Sequence, residues 1–132
     1  MIDEESRTNL IAYRIEQALS TSQEARILLE NNLFRGAVNR MYYSMFYMLQ
    51  ALSLKHQFES SKHAQLIGWF NKNFIHTGLI EIKFSKIITR AYNLRTKGDY
   101  ATVFVPEKEE ILKMYEDMED FIQRVKTILE KT

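Results

Sequence analysis

The 132-residue sequence contains no cysteine, one proline and four glycines. Without cysteine there is no disulfide, no thiolate metal ligand and no cysteine nucleophile, and a reducing compartment is mildly favoured. The polar and acidic start, MIDEESRTNL, lacks the apolar segment of a signal peptide. The most apolar run, residues 41–54, is too short to cross a bilayer. We therefore expect a cytoplasmic protein without a membrane partner.

Charge is unevenly distributed, although the formal net charge is only +1. Residues 1–32 carry three basic and six acidic side chains, residues 33–98 carry ten and two, and residues 107–131 carry five and eight. A middle segment at +8 thus lies between two segments at −3 each. Two explanations stay open. Acidic outer helices can pair with basic inner ones, or the basic segment can present a face to phosphates of RNA or nucleotides.

Apolar residues repeat with helical spacing in five segments, and no strand-like alternation competes with them. We predict helices over 5–31, 33–56, 62–75 and 80–97, and a fifth that begins at Pro106. Thr21 and Glu24 have the spacing of a capping box, so a kink in the first helix is an open alternative. The second helix is apolar almost all round and should be the central one. The predicted fold class is all-α, a five-helix, mostly up-and-down bundle in one domain, residues 1–132.

The ends of these helices carry recognisable signals. Ser60 or Ser61 should cap the third helix, and Gly78 suits the turn that follows it. Gly98 should end the fourth helix, since glycine favours helix termini. Residues 99–105 have no helical period and are predicted to form an ordered loop.

Common catalytic and metal-binding motifs are missing from the sequence. There is no Gly-rich phosphate loop, no G-x-S-x-G and no H-E-x-x-H. The histidines, His56, His63 and His76, do not have the spacing of metal ligands on one helix. We predict no metal and no cofactor.

Polar groups interrupt the apolar second helix at its start. Arg40, Tyr43 and Tyr47 are related by i, i+3 and i+7, so they share one face. An arginine in such a helix must reach solvent or an anionic partner, because an unpaired buried charge is costly.

A second polar group lies where the fourth helix is predicted to end. Arg95, Asp99 and Tyr100 place a cation, a carboxylate and a phenol within about a turn and a half of helix. Two interpretations are open. Arg40 and Asp99 can form a buried ion pair, or Arg40, Arg95 and Tyr100 can line a polar pocket for phosphate or RNA.

Three sequence blocks resemble the HEPN domain family. They are AVNRMYYSMFYMLQALSL, SSKHAQLIGWFNKNFIHTGLI and AYNLRTKGDYATV. The branch they resemble has R-x-Y-Y-x-x-F, then K/S-H in the third helix, then L-R-x-x-x-D-Y. The blocks occur in the family's order, and the similarity spans about residues 8–128.

The resemblance implies an up-and-down helical bundle, commonly a prokaryotic homodimer. It also implies a gene often placed beside a minimal nucleotidyltransferase, as a toxin–antitoxin or defence pair. Active members are metal-independent ribonucleases that use R-x(4–6)-H near the end of a late helix, contributed by both subunits. This sequence departs from that motif, because Tyr100, Ala101 and Thr102 stand at those offsets from Arg95.

Three functional hypotheses follow. The first is a binding module that pairs with a nucleotidyltransferase and binds RNA or a nucleotide through Arg40, Tyr43, Tyr47, Arg95 and Tyr100. The second is a divergent metal-independent endoribonuclease toxin with Arg95, Asp99 and His63 as its catalytic groups.

In a variant of the second hypothesis, Tyr100 accepts an adenylyl group from the partner nucleotidyltransferase, as the family resemblance permits. The third hypothesis is a homodimeric assembly protein without a ligand. In that case Met45, Met48 and Phe104 would be left for a twofold interface.

Overall fold

The computed structural model describes residues 2–100 and 107–131, with residues 96–100 described by backbone alone. It confirms the all-α, five-helix bundle. The helices are α1 (Glu4–Glu30), α2 (Phe34–Lys55), α3 (His63–Phe70), α4 (Ile82–Tyr100) and α5 (Lys108–Lys131). A π-helical segment, Asn71–Ile75, directly continues α3. None of the helices in these ranges is long and apolar enough to cross a membrane.

The first helix is unbroken and is capped at Asp3, not at Thr21. The Asp3 carboxylate accepts a hydrogen bond of 2.7 Å from the backbone N–H of Ser6, and acidic residues fill the first turn. Thr21 is only 5% exposed in the middle of the helix. The capping box predicted at Thr21 and Glu24 is therefore wrong. No proline or glycine interrupts the helix near Thr21, and the helix face that contains Thr21 is buried.

The second helix is the central one, as its composition predicts. It packs against α1, α3, α4 and α5. The hydroxyl of Ser44 is buried and donates 2.9 Å to the carbonyl of Ala18, which joins α2 to α1. Met45 and Met48 are 1% and 0% exposed. The expectation that these methionines are left for a twofold interface is therefore wrong, since the core of one chain already buries them.

Helix ends follow the sequence signals less well. Lys62, not Ser60 or Ser61, is the N-cap residue of α3. The Ser60 hydroxyl instead accepts from the backbone N–H of Lys62 at 3.1 Å. At the other end of this region, Gly78 has φ +81°, so the predicted glycine turn is confirmed.

The fourth helix runs past its predicted stop. It continues through Gly98 to Tyr100, so the expectation of a break at that glycine is wrong. A glycine inside a helix costs only about 1 kcal/mol relative to alanine, which neighbouring helical residues can offset. The ordered loop predicted over 99–105 is therefore wrong at Asp99 and Tyr100, which belong to the helix. The rest of that loop and the predicted helix start at Pro106 lie outside the described residues, and the described part of α5 begins at Lys108.

Among the side chains that the structure describes, three ion pairs connect residues distant in the sequence. Arg40 lies 3.8 Å from Glu24 on α1, and Arg90 lies 3.5 Å from Glu110 on α5. Both join the basic middle segment to an acidic outer helix, as the first explanation of the charge pattern expects. In the third pair the roles are exchanged: the cation, Arg124, lies on the acidic helix α5, and the anion, Glu81, lies in the basic middle segment, 2.9 Å away. Exposed pairs of this kind contribute at most about 1 kcal/mol each, so charge pairing alone does not hold the helices together.

Two glycines give a matched test of the local backbone. Gly68 lies within α3, where an added Cβ meets nothing within 4 Å, whereas Gly78 has positive φ. We expect Gly68→Ala to stabilise the fold by up to about 1 kcal/mol through helix propensity. Gly78→Ala should destabilise it by about 1–2 kcal/mol, because alanine is strained in that conformation. Urea unfolding of both variants measures this, and effects of equal sign would contradict the described backbone.

Candidate functional site

Aromatic rings from α2 and the first residue of α3 form one wall of the candidate site. Tyr42 is fully buried, and its hydroxyl shares a 2.6 Å hydrogen bond with Nδ1 of His63. The His63 ring stacks on Phe46, with centroids 4.1 Å apart and planes 7° from parallel. The imidazole is thus fixed in orientation by one hydrogen bond and one ring face.

Arg95 reaches this wall from α4. Its Nη1 donates to the hydroxyl of Tyr43 at 3.1 Å. Its guanidinium carbon lies 5.2, 5.6 and 5.5 Å from the ring centroids of Tyr42, Tyr43 and Tyr92. Each distance is within cation–π range, where a guanidinium is attracted to the negative face of a ring. We call Tyr42, Tyr43, His63, Tyr92 and Arg95 the Arg95 cluster.

The electrostatics of the Arg95 cluster favour neutral side chains around one cation. Burial lowers the pKa of His63, and the nearby positive charge of Arg95 lowers it further. Burial also raises the pKa of Tyr42, and Arg95 opposes that effect. At neutral pH the imidazole is therefore mainly unprotonated and the phenol keeps its proton, so Arg95 supplies the positive charge of the cluster.

Arg40 lies beside the Arg95 cluster and shares Tyr43 with it. Its guanidinium carbon is 5.3 Å from the Tyr43 ring centroid, and it donates to the side-chain oxygen of Asn39 at 2.7 and 3.0 Å. The Tyr47 ring lies 6.0 Å from that of Tyr43. The three residues predicted to share a face of α2 are thus contiguous, and one of them touches Arg95.

Among the described side chains, Arg40 has an acidic neighbour in Glu24 on α1, at 3.8 Å. The predicted ion pair between Arg40 and Asp99 involves a side chain outside the described residues, as does the predicted role of Tyr100. The backbone places both residues in the last turn of α4, one turn beyond Arg95. Phe104 likewise lies outside the described residues.

Sequence reasoning missed two members of the Arg95 cluster. The binding residues predicted on α2 are Arg40, Tyr43 and Tyr47, and they omit Tyr42, which adjoins Tyr43 in the R-x-Y-Y block. Tyr92 precedes Arg95 by three residues, a spacing that places both on one helix face and could have signalled their contact. Over residues 2–100 and 107–131 no group of three or more His, Asp or Glu side chains is placed to hold a metal ion.

The sequence matches the HEPN domain over residues 11–128. It is 40% identical over 117 residues to a protein of Methanocaldococcus jannaschii named as a candidate toxin, covering 89% of this chain and 87% of that protein. A second candidate toxin of that organism is 31% identical, over 87% of this chain and 78% of its own length. A UPF0332 protein of Thermotoga maritima is 30% identical, over 94% of each chain.

The electrostatic influence of Arg95 on His63 has a measurable consequence. We expect the pKa of His63, followed by NMR titration, to lie below the ordinary value of about 6.5. Arg95→Gln should raise this pKa, because it removes the repulsion between a guanidinium and a protonated imidazole. Arg26→Gln, an exposed arginine on α1 paired with Glu30, is the matched control and should leave it unchanged.

The linked effect on stability has a defined sign. Since the folded state disfavours protonated His63, the unfolded chain binds the extra proton as pH falls below about 6.5, and the fold loses stability there. Arg95→Gln should make this loss smaller. A His63 pKa that is the same in the wild type and in Arg95→Gln would show that the two side chains are not neighbours.

Proposed function

The chain belongs to the HEPN domain family, and on that premise we propose that it is a toxin-type protein that binds RNA or nucleotide phosphates at the Arg95 cluster. In the same proposal it is a homodimer and pairs with a minimal nucleotidyltransferase. Relatives named as candidate toxins support the toxin-like role. The dimer and the pairing follow from what is common in the family.

The observation that carries the binding proposal is the convergence of distant residues on one spot. Arg95, His63 and Tyr43 come from three helices, yet Arg95 donates to Tyr43 and lies close enough to His63 to shift its pKa. A guanidinium fork matches the oxygens of a phosphate, and phenol and imidazole groups add hydrogen-bond donors. Such a combination suits a phosphate better than it suits an apolar or cationic ligand.

Arg40 and Tyr47 extend the site along α2. Both are partly exposed, and the Arg40 side chain keeps 34% of its surface accessible. Partly exposed tyrosines offer ring faces on which bases stack, and a second arginine can contact a second phosphate. The extension therefore favours a nucleic-acid strand or a nucleotide over an isolated inorganic anion.

Binding of a labelled single-stranded RNA, followed by fluorescence anisotropy, tests this proposal. Arg40→Gln and Arg95→Gln should each weaken binding about tenfold, since a charge-assisted hydrogen bond contributes roughly 1.5–3 kcal/mol. Arg26→Gln makes the same chemical change on α1 away from the cluster, and should have an effect of less than about twofold. Binding should also weaken with salt, as phosphate contacts require.

An equal loss of RNA affinity in all three variants would show nonspecific attraction to surface cations and would contradict a site at the Arg95 cluster. The pairing is tested separately, by affinity purification from the native host. If neither a nucleotidyltransferase nor nucleic acid co-purifies, the proposed function loses its basis.

A second candidate function is a divergent endoribonuclease, favoured by the position of His63. In this chain an imidazole enters the cluster from α3, although the family's usual histidine after Arg95 is absent. An unprotonated imidazole can accept the proton of an attacking hydroxyl, while a guanidinium stabilises negative charge on the phosphate. Asp99, the third proposed catalytic group, has its side chain outside the described residues.

Growth of a host that expresses the protein distinguishes the enzyme from the binding module. An endoribonuclease should arrest growth and degrade total RNA, and His63→Gln or Arg95→Gln should each relieve the arrest. His76→Gln is the matched control, because His76 is exposed near the end of the π-helical segment, outside the cluster. Expression that harms no cells, with total RNA left intact, would rule out the enzyme.

A further inference from the structure

A cavity separate from the Arg95 cluster lies between α1, the C-terminal part of α2 and the segment that leads into α3. Its volume is about 540 Å³, within the range of pockets that enclose small organic molecules. None of its lining residues belongs to the Arg95 cluster. The residues that define its chemistry are Leu10, Arg14, Gln50, Leu54, Glu59 and Lys62.

The walls of this cavity combine an apolar surface with two cations. Leu10 and Leu54 line it from α1 and α2, and Leu54 is 7% exposed. Arg14 is held on α1 by donating 2.8 Å to the side-chain oxygen of Gln17. Lys62 lines the cavity from the start of α3. An anionic group between these two cations would gain charge-assisted hydrogen bonds, while its apolar part covers the leucines.

Gln50 lines the cavity and carries an acceptor without a partner. Its Oε1 is buried, and no hydrogen-bond donor reaches it from the part of the chain that the structure describes. A buried acceptor without a donor costs roughly 1–3 kcal/mol, and such groups are rare in folded proteins. A ligand N–H removes that cost when the Gln50 side chain turns its Oε1 from the interior toward the cavity that the residue lines. Glu59 lines the same cavity and disfavours a ligand with several negative charges, because like charges repel.

From this combination we propose that the cavity is a binding site for a small organic anion with an apolar body and an N–H donor. The anion lies between Arg14 and Lys62, the apolar body covers Leu10 and Leu54, and the N–H faces Gln50. The site is distinct from the Arg95 cluster, since none of its lining residues belongs to that cluster.

Anilinonaphthalene sulfonate is a suitable probe, because it carries a sulfonate, an apolar ring system and one N–H. We expect its fluorescence to rise on addition of the folded protein, with saturation at one site per chain. Arg14→Gln and Lys62→Gln should each weaken the fitted affinity about tenfold, in keeping with the loss of one charge-assisted hydrogen bond. Ser61→Trp, at an exposed lining position, should block binding by filling the cavity.

Arg26→Gln again serves as the matched control on α1 and should leave the probe affinity unchanged. Far-ultraviolet circular dichroism of each variant verifies folding, and Lys62 and Ser61 are exposed enough that their replacement spares the core. No fluorescence increase with the wild type would overturn the proposal. So would undiminished binding in Lys62→Gln and Ser61→Trp, since the probe would then bind elsewhere.

Discussion

The packing of one guanidinium against tyrosine rings determines the geometry of the candidate site. Arg95 comes from α4, yet its charge lies within cation–π distance of Tyr42 and Tyr43 on α2. A partly buried cation must be balanced by its surroundings, because desolvation without compensation is expensive. The aromatic faces and the Tyr43 hydroxyl supply part of that balance. They also fix the end of α4 against the centre of the bundle.

Burial is the main reason why the groups around Arg95 have unusual proton affinities, and the charge of Arg95 modifies both shifts. Tyr42 and His63 are hydrogen-bonded to each other, and both are affected by the charge of Arg95. Burial acts on both groups in the direction of the neutral form, so the site holds its positive charge on arginine over the physiological pH range. A positive charge among neutral groups attracts an anion, as the proposed phosphate binding requires.

Much of the fold could be predicted from helical periodicity, because each amphipathic segment has only one apolar stripe to bury. The shared face of Arg40, Tyr43 and Tyr47 followed from their spacing in the same way. The role of Tyr42 could not be predicted, since a helix that is apolar all round does not indicate which face meets α4. The end of α4 was missed because one glycine is a weak stop signal. The proximity of His63 to Arg95 depends on tertiary packing, which a local sequence pattern does not predict.

The peptide bond between Lys62 and His63 joins two sites with different chemistry. Lys62 lines the cavity beside α1, and the next ring stacks on Phe46 within the aromatic wall. A backbone shift at one of these neighbours is transmitted to the other, because consecutive Cα atoms are separated by a fixed distance. Occupancy of the cavity and protonation of the imidazole are therefore expected to be coupled, each changing the other's equilibrium by the same factor.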